Sequence, residues 1–289
     1  MRILMVHGIA QGGRKEAELK QIWVETLQEG FGEAVKPWPK KVEFDFPYYG
    51  DMLDDFVAQA NLPSPATVRA KGAGQNLDFE RFMQSALDQL QAEGGISEAE
   101  VRDEMPEGAS QEKGIQNWGW VQAIARAIDN RLTPASNFTI ELFLREVFLY
   151  IARRDVADAI NAKVVEKLTA EPTIVIGHSL GSVVCYNVLK AQRSRLDLRG
   201  FITVGCPLGL RAISSKLGVV SNVADPKRWF NAYDDADIVA LNPLDNRWFP
   251  VQPKITNHGK VHNNTENRHG IIGYLNDAKV AAQVAAAME

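Results

Sequence analysis

The chain has 289 residues, 45% of them apolar and 24% charged, an ordinary balance for a chain that can bury a core without staples. A net charge of −4, with basic and acidic residues interspersed and no long Lys/Arg run, argues against a dedicated nucleic-acid surface. Two cysteines, Cys185 and Cys206, both in apolar surroundings, are too few for a disulfide framework, and no CxxC or His/Cys cluster offers a metal site.

The first element is Arg2–Val6, an apolar run without alternation, which predicts a strand buried on both faces. It is too short for a signal-peptide core, and no stretch reaches the ~18 apolar residues of a membrane span, so a cytoplasmic protein is expected. Leu19, Ile22, Trp23 and Leu27 then share one face of a helix over about Lys15–Glu29. Val42–Phe46 is a weaker strand candidate. Further strands are predicted at Thr173–Ile176, Phe201–Val204 and Trp229–Tyr233, with another weak segment between Ile255 and Val261. Val183, Val184, Tyr186, Val188 and Leu189 mark a helix directly after Ser179, and the alanine-rich stretch Gly270–Met288 a closing helix. Strands alternating with helices imply crossover units and a parallel sheet, hence an α/β fold.

Between Gly50 and Arg153 no strand is evident. Helical patterns fall at Phe79–Ala92, Ser97–Glu104, Gln116–Arg131 and Thr139–Ile151, the last joining a helix toward Leu168, with turn signals at Leu62-Pro63-Ser64-Pro65 and Glu93-Gly94-Gly95. A connection this long is far beyond usual loop lengths. It predicts a helical cap over 51–153 inserted into a core made of 1–50 and 154–289. The stretch Thr139–Ile151 is apolar on more than one face. Such a helix is either sandwiched between cap and core or walls an acyl pocket.

The segment Thr173-Ile174-Val175-Ile176-Gly177-His178-Ser179-Leu180-Gly181 reads as a strand, a Gly-x-Ser-x-Gly turn and a helix. A serine hydroxyl is a poor nucleophile and must be presented unobstructed to a base and a substrate. A sharp turn does this at the cost of backbone strain and crowding, which glycines at 177 and 181 relieve. Ser179 then stands at a helix N-terminus, where negative charge is favoured. His178 adjoins the serine on the same turn and cannot swing round as its base, so a packing role is expected.

Acyl transfer passes through an oxyanion that needs preorganised N–H donors. One is expected from Leu180, directly after the serine. The other is expected from the loop His7-Gly8-Ile9-Ala10-Gln11-Gly12-Gly13, with Ile9 as donor and Ala10 in reserve. Gly12-Gly13-Arg14-Lys15 lacks the ending of a phosphate-binding loop, and Gly72-Ala73-Gly74 lacks the strand and third glycine of a dinucleotide site. The acid and base follow the serine in chain order. Asp234, Asp235 and Asp237 follow the Trp229–Tyr233 strand, and Asp237 is the candidate acid because Ile238-Val239 would anchor its turn. The base comes from His258, His262 or His269. His269, in a polar loop before the last helix, is the candidate.

At these residues the sequence resembles the α/β-hydrolase superfamily, and within it the lipase and esterase branch that opens with a strand and a His-Gly loop. His7-Gly8, Gly177-His178-Ser179-Leu180-Gly181, the strand with Asp237, and His269 carry the resemblance. Thr203-Val204-Gly205-Cys206-Pro207-Leu208 is similar to a strand end found in such lipases. The resemblance implies a three-layer α/β-hydrolase fold with about six strands, the first two antiparallel strands of the fuller fold being absent. It implies a carboxylic-ester hydrolase acting through an acyl-enzyme on Ser179, His269 and Asp237, without metal or organic cofactor, on a small-molecule acyl or lipid substrate. Thioesterase, amidase or acyltransferase chemistry on the same serine, or a silent binding protein, are the alternatives. The insertion matches nothing in that family, and specificity does not transfer.

Overall fold

The apolar runs become one sheet. Its strands are β1 (Arg2–Val6), β2 (Glu43–Asp45), β3 (Thr173–His178), β4 (Leu198–Val204), β5 (Trp229–Ala232) and β6 (Thr256–His258). They lie in the order β2-β1-β3-β4-β5-β6, and every neighbouring pair is parallel. The computed structural model describes residues 1–60, 62, 77–105, 118–131, 139–192, 195–225, 228–266 and 268–289. The helices are α1 (Glu16–Glu33), α2 (Gly50–Gln59), α3 (Leu77–Glu93), α4 (Glu98–Asp103), α5 (Trp118–Asp129), α6 (Ile140–Ala152), α7 (Arg154–Val165), α8 (Leu180–Gln192), α9 (Arg211–Ser214), α10 (Ile272–Leu275) and α11 (Ala278–Ala286).

Alternate residues of a strand point to opposite faces, and both faces of this sheet are covered. Ile3, Met5, Ile174, Ile176, Ile202 and Phe230 pack with Leu19, Trp23 and Leu27 of α1 and Val280 and Val284 of α11. Leu4, Val6, Val175, Phe201 and Trp229 pack on the other side, in one apolar cluster with Val183 and Tyr186 of α8 and Phe143 and Val147 of α6. The protein is a three-layer α/β structure. Phe79, Met83 and Leu87 of α3 and Ile124 and Ile128 of α5 join this second cluster, so the long connection between β2 and β3 shares the core of the sheet.

Helix α6 packs against α3 and α5 as well as α2 and α7, which accounts for its apolar circumference. Its Phe148, Leu149, Ile151 and Ala152 also line a cavity of about 410 Å³, separate from the one at Ser179. Several helices differ from expectation. Arg153 adopts extended backbone (φ −108, ψ 112), so residues 140–165 form two helices rather than one. The closing helix is likewise split: Asp277 is extended and its carboxylate accepts the Lys279 and Val280 N–H groups, which starts α11 afresh. Helix α2 is not among the expected elements, although Met52, Leu53, Phe56 and Val57 carry its apolar spacing.

Pro63–Pro65, Gly72-Ala73-Gly74, the first residues of the expected Gln116 helix and Asn267 lie outside the described residues. Among the described residues no helix is long and apolar enough to cross a membrane.

Candidate active site

The chain leaves β1, adds β2 on one side and β3 on the other, so the loops at the carboxyl ends of β1 and β3 diverge. Such a switch point is where open parallel sheets hold their ligands. Val6 is paired with Gly177, which sets the loop from His7 beside the turn at Ser179. A cavity of about 380 Å³ opens here, with Ile9, Trp23, Ser179, His269 and Ile271 in its wall and Arg14 among its lining.

Ser179 links β3 to α8 in a left-handed conformation, φ 54. A Cβ at position 181 would lie 2.2 Å from the Val6 carbonyl oxygen, and one at position 177 would lie 2.8 Å from Ser182 Cα, so both flanking positions require glycine. The described non-glycine residues with positive φ are Ala10, Val35, Ser179 and Arg268, and three of these lie in the Ser179 turn or the loops facing it. Strain held by the surrounding structure concentrates at working sites. In one respect the expectation of an unobstructed hydroxyl is corrected. Ser179 is 1% exposed, and its Oγ is shielded from solvent and makes no hydrogen bond among the described residues. Gly8 packs so tightly on this side chain that a Cβ there would come within 2.6 Å of Ser179 Cβ.

His269 lies in the same cavity wall. Its Nδ1 is 2.7 Å from Asp237 Oδ2, with both side chains buried, so the Nδ1 hydrogen points at the carboxylate and Nε2 is the ring's remaining nitrogen. Asp237 also receives the Tyr274 hydroxyl on Oδ2 at 2.5 Å and the Val239 N–H on Oδ1 at 3.2 Å. Burial pushes the Tyr274 phenol well above its ordinary value, so it stays a donor. His178 faces this pair: its Nε2 is 2.7 Å from the His269 carbonyl oxygen, and the two rings lie 4.8 Å apart. Burial holds His178 well below the usual histidine range, so a neutral ring donates Nε2–H to that carbonyl.

The rival residues are placed elsewhere. Asp234 is buried but occupied, accepting from the Asn263 and Ala236 N–H groups. Asp235 is exposed. His262 is exposed and lines a separate cavity with Glu29, Glu33 and Asp277. His258 ends β6, stacked on Phe230, with Nε2 3.7 Å from Asp277.

The loop after β1 is fixed by side chains. The Tyr49 N–H donates to His7 Nε2 at 3.1 Å, so the imidazole hydrogen is on Nδ1 and is donated to the Gly8 carbonyl at 2.8 Å. Burial lowers the His7 pKa to about 4, which keeps this tautomer neutral. The Tyr49 hydroxyl holds the His7 carbonyl. Ile9 and Ala10 both line the cavity, and the Ala10 N–H donates to Glu146 Oε2 at 3.3 Å. Ala10, the reserve oxyanion donor, is therefore committed to another group. Leu180 begins α8 directly after the serine.

The contacts of Glu146 with the Ala10 N–H and of Tyr274 with Asp237 are ones that sequence reasoning missed. The signal for Glu146 is a single acid on the buried face of α6; Tyr274 carries none. Cys185 and Cys206 are buried with thiol pKa values raised by burial, Cys206 to about 12, so both are inert core residues. No group of three or more metal-ligating side chains occurs among the described residues.

The fold and this constellation define a parallel α/β protein that gathers a strained serine, a histidine and an aspartate at its sheet's switch point. Comparison with models of known protein families, with curated proteins and with solved structures finds no match for the chain.

Proposed function

We propose that this protein is a serine hydrolase of the α/β-hydrolase fold that cleaves carboxylic esters through an acyl-enzyme. The observation that carries the reading is that His269, which lines the same cavity as Ser179, is paired through Nδ1 with the buried Asp237 behind it. A lone serine on a tight turn is compatible with scaffolding. A buried carboxylate that orients an imidazole lining the serine's cavity is the arrangement that activates a hydroxyl. The strand order and the placement of all three residues after carboxyl-terminal strand ends support the same reading.

In this scheme His269 Nε2 takes the Ser179 proton as Oγ bonds to the ester carbonyl carbon. The carbonyl oxygen becomes an oxyanion, held by the Ile9 and Leu180 N–H groups. Collapse breaks the bond to the alkoxy group, which leaves with the proton from His269. Water then repeats the sequence on the acyl-enzyme and releases the acid. Asp237 holds the imidazole tautomer and stabilises the imidazolium, with Tyr274 supporting the carboxylate. Because Ser179 Oγ is shielded, substrate entry requires the wall formed by the His7 loop, Thr265 and His269 to yield.

The shielded hydroxyl also favours a second reading, a binding protein that keeps the turn as scaffold. Hydrolysis of p-nitrophenyl esters separates them. The hydrolase turns the ester over, and Ser179→Ala abolishes turnover without lowering thermal stability. Turnover that survives in Ser179→Ala, or its complete absence in the wild type, contradicts the proposal.

A further inference from the structure

Glu146 is a buried acid with no place in the mechanism above. It lies on the inner face of α6, 1% exposed, among Phe143, Val147 and Tyr150. Burying an acid among such neighbours is costly unless it is neutral or paired, and among the described residues no cation pairs with it. Burial, the Ala10 hydrogen bond and the nearby Asp54 of α2 together leave its pKa raised to about 8, so at neutral pH it is a protonated acid that can still accept through its carbonyl oxygen.

What it accepts is the N–H of Ala10, a non-glycine residue in the left-handed region at φ 55. The other end of the same peptide is also held, because Gln11 Nε2 donates to the Ile9 carbonyl at 2.9 Å. The preceding peptide is held by His7 Nδ1 on the Gly8 carbonyl. A trans peptide directs its N–H opposite to its carbonyl, so fixing the Gly8 oxygen aims the Ile9 N–H. Ile9 thus sits between two pinned peptide planes, and the pin on the far side comes from the helical insertion.

We infer that Glu146 is a positioning residue for the oxyanion-binding amide: its carboxyl clamps the Ile9–Ala10 peptide and thereby fixes the Ile9 N–H toward the Ser179 cavity. The inference rests on the hydrolase reading. It gives the insertion a role in the chemistry although no residue of α6 lines the cavity.

The test uses Glu146→Ala and Glu146→Gln in the full chain. It reads the second-order rate of Ser179 labelling by a fluorophosphonate, kcat and KM on p-nitrophenyl butyrate, and thermal stability. Gln reproduces the shape and the acceptor of the neutral acid. The expected result is a labelling rate and kcat about 10- to 100-fold lower in Glu146→Ala, with KM nearly unchanged and Glu146→Gln restoring both. Wild-type labelling by folded Glu146→Ala would overturn the inference, as would equal impairment in Ala and Gln. If Glu146→Ala does not fold, Gln11→Ala tests the opposite end of the same peptide and must lower the labelling rate by the same mechanism; a wild-type rate there overturns it. Failure of the wild type itself to label refutes the hydrolase reading and this inference with it, an outcome distinct from equal labelling in all forms.

Discussion

His178 donates a hydrogen bond from Nε2 to the backbone carbonyl of His269 at 2.7 Å, so the residue before the serine grips the residue proposed as its base. This contact joins the end of β3 to the loop before α10. His178→Phe keeps a ring against His269 but removes the donor, and its kcat should fall about 10-fold because a misplaced base is costly. Steady-state kinetics should show KM little changed. Full activity in His178→Phe would show that the hydrogen bond does not position His269.

The pairing of His269 with Asp237 ranks the histidines. His269→Ala should lower kcat on the order of 10³-fold or more, and Asp237→Asn should approach the same loss, because the amide favours the wrong tautomer. His262→Ala, at an exposed residue in a different cavity, should stay near wild type. The reverse ranking, measured on one p-nitrophenyl ester, would reassign the base.

The apolar wall of the Ser179 cavity comes from Ile9, from α1 through Leu19, Ile22 and Trp23, and from Ile271 and Ile272 at the start of α10. An acyl chain lying there gains about 0.8 kcal/mol per buried methylene, up to roughly fourfold in kcat/KM per carbon. A p-nitrophenyl ester series should therefore rise over the first several carbons and level off as the cavity of about 380 Å³ fills. Ile22→Asp should flatten that rise. A preference for acetate in the wild type would place the acyl chain elsewhere.

Two buried groups set opposite limits on stability. Folding makes Glu146 hold its proton more tightly than its ordinary value of 4.5, so its contribution is whole below that value and is lost as pH rises through about 8. The decline is about 1.4 kcal/mol per pH unit within that window. Folding makes His7 hold its proton less tightly, so its contribution is whole above its ordinary value of 6.5 and is lost as pH falls toward about 4. Thermal melts across pH should show Glu146→Gln gaining on the wild type as pH rises toward 8. Parallel curves would show that Glu146 is not a buried neutral acid.

Much of this was legible in the sequence because the signals are local. An apolar run without alternation, as in Ile3-Leu4-Met5-Val6, identifies a strand buried on both faces, and a glycine two residues either side of Ser179 identifies a tight turn. The choice of Asp237 over Asp235 followed from the apolar pair after it, and the structure does bury that residue beside His269. What escaped depends on contacts distant in sequence. The grip of Glu146 on Ala10 spans 136 positions, and that of Tyr274 on Asp237 spans 37. Neither leaves a periodicity, and the shielding of Ser179 Oγ arises from tertiary packing. The all-round apolarity of α6 could not by itself distinguish a sandwiched helix from a pocket wall, because both demand the same residues.

The most direct measurement is the intact mass and peptide map of the folded protein after reaction with a fluorophosphonate. A hydroxyl activated by His269 and Asp237 predicts one adduct per chain, on Ser179, that is absent from Ser179→Ala and forms far more slowly in His269→Ala. A folded wild-type protein that gains no mass, or that carries the adduct on another residue, would contradict the account.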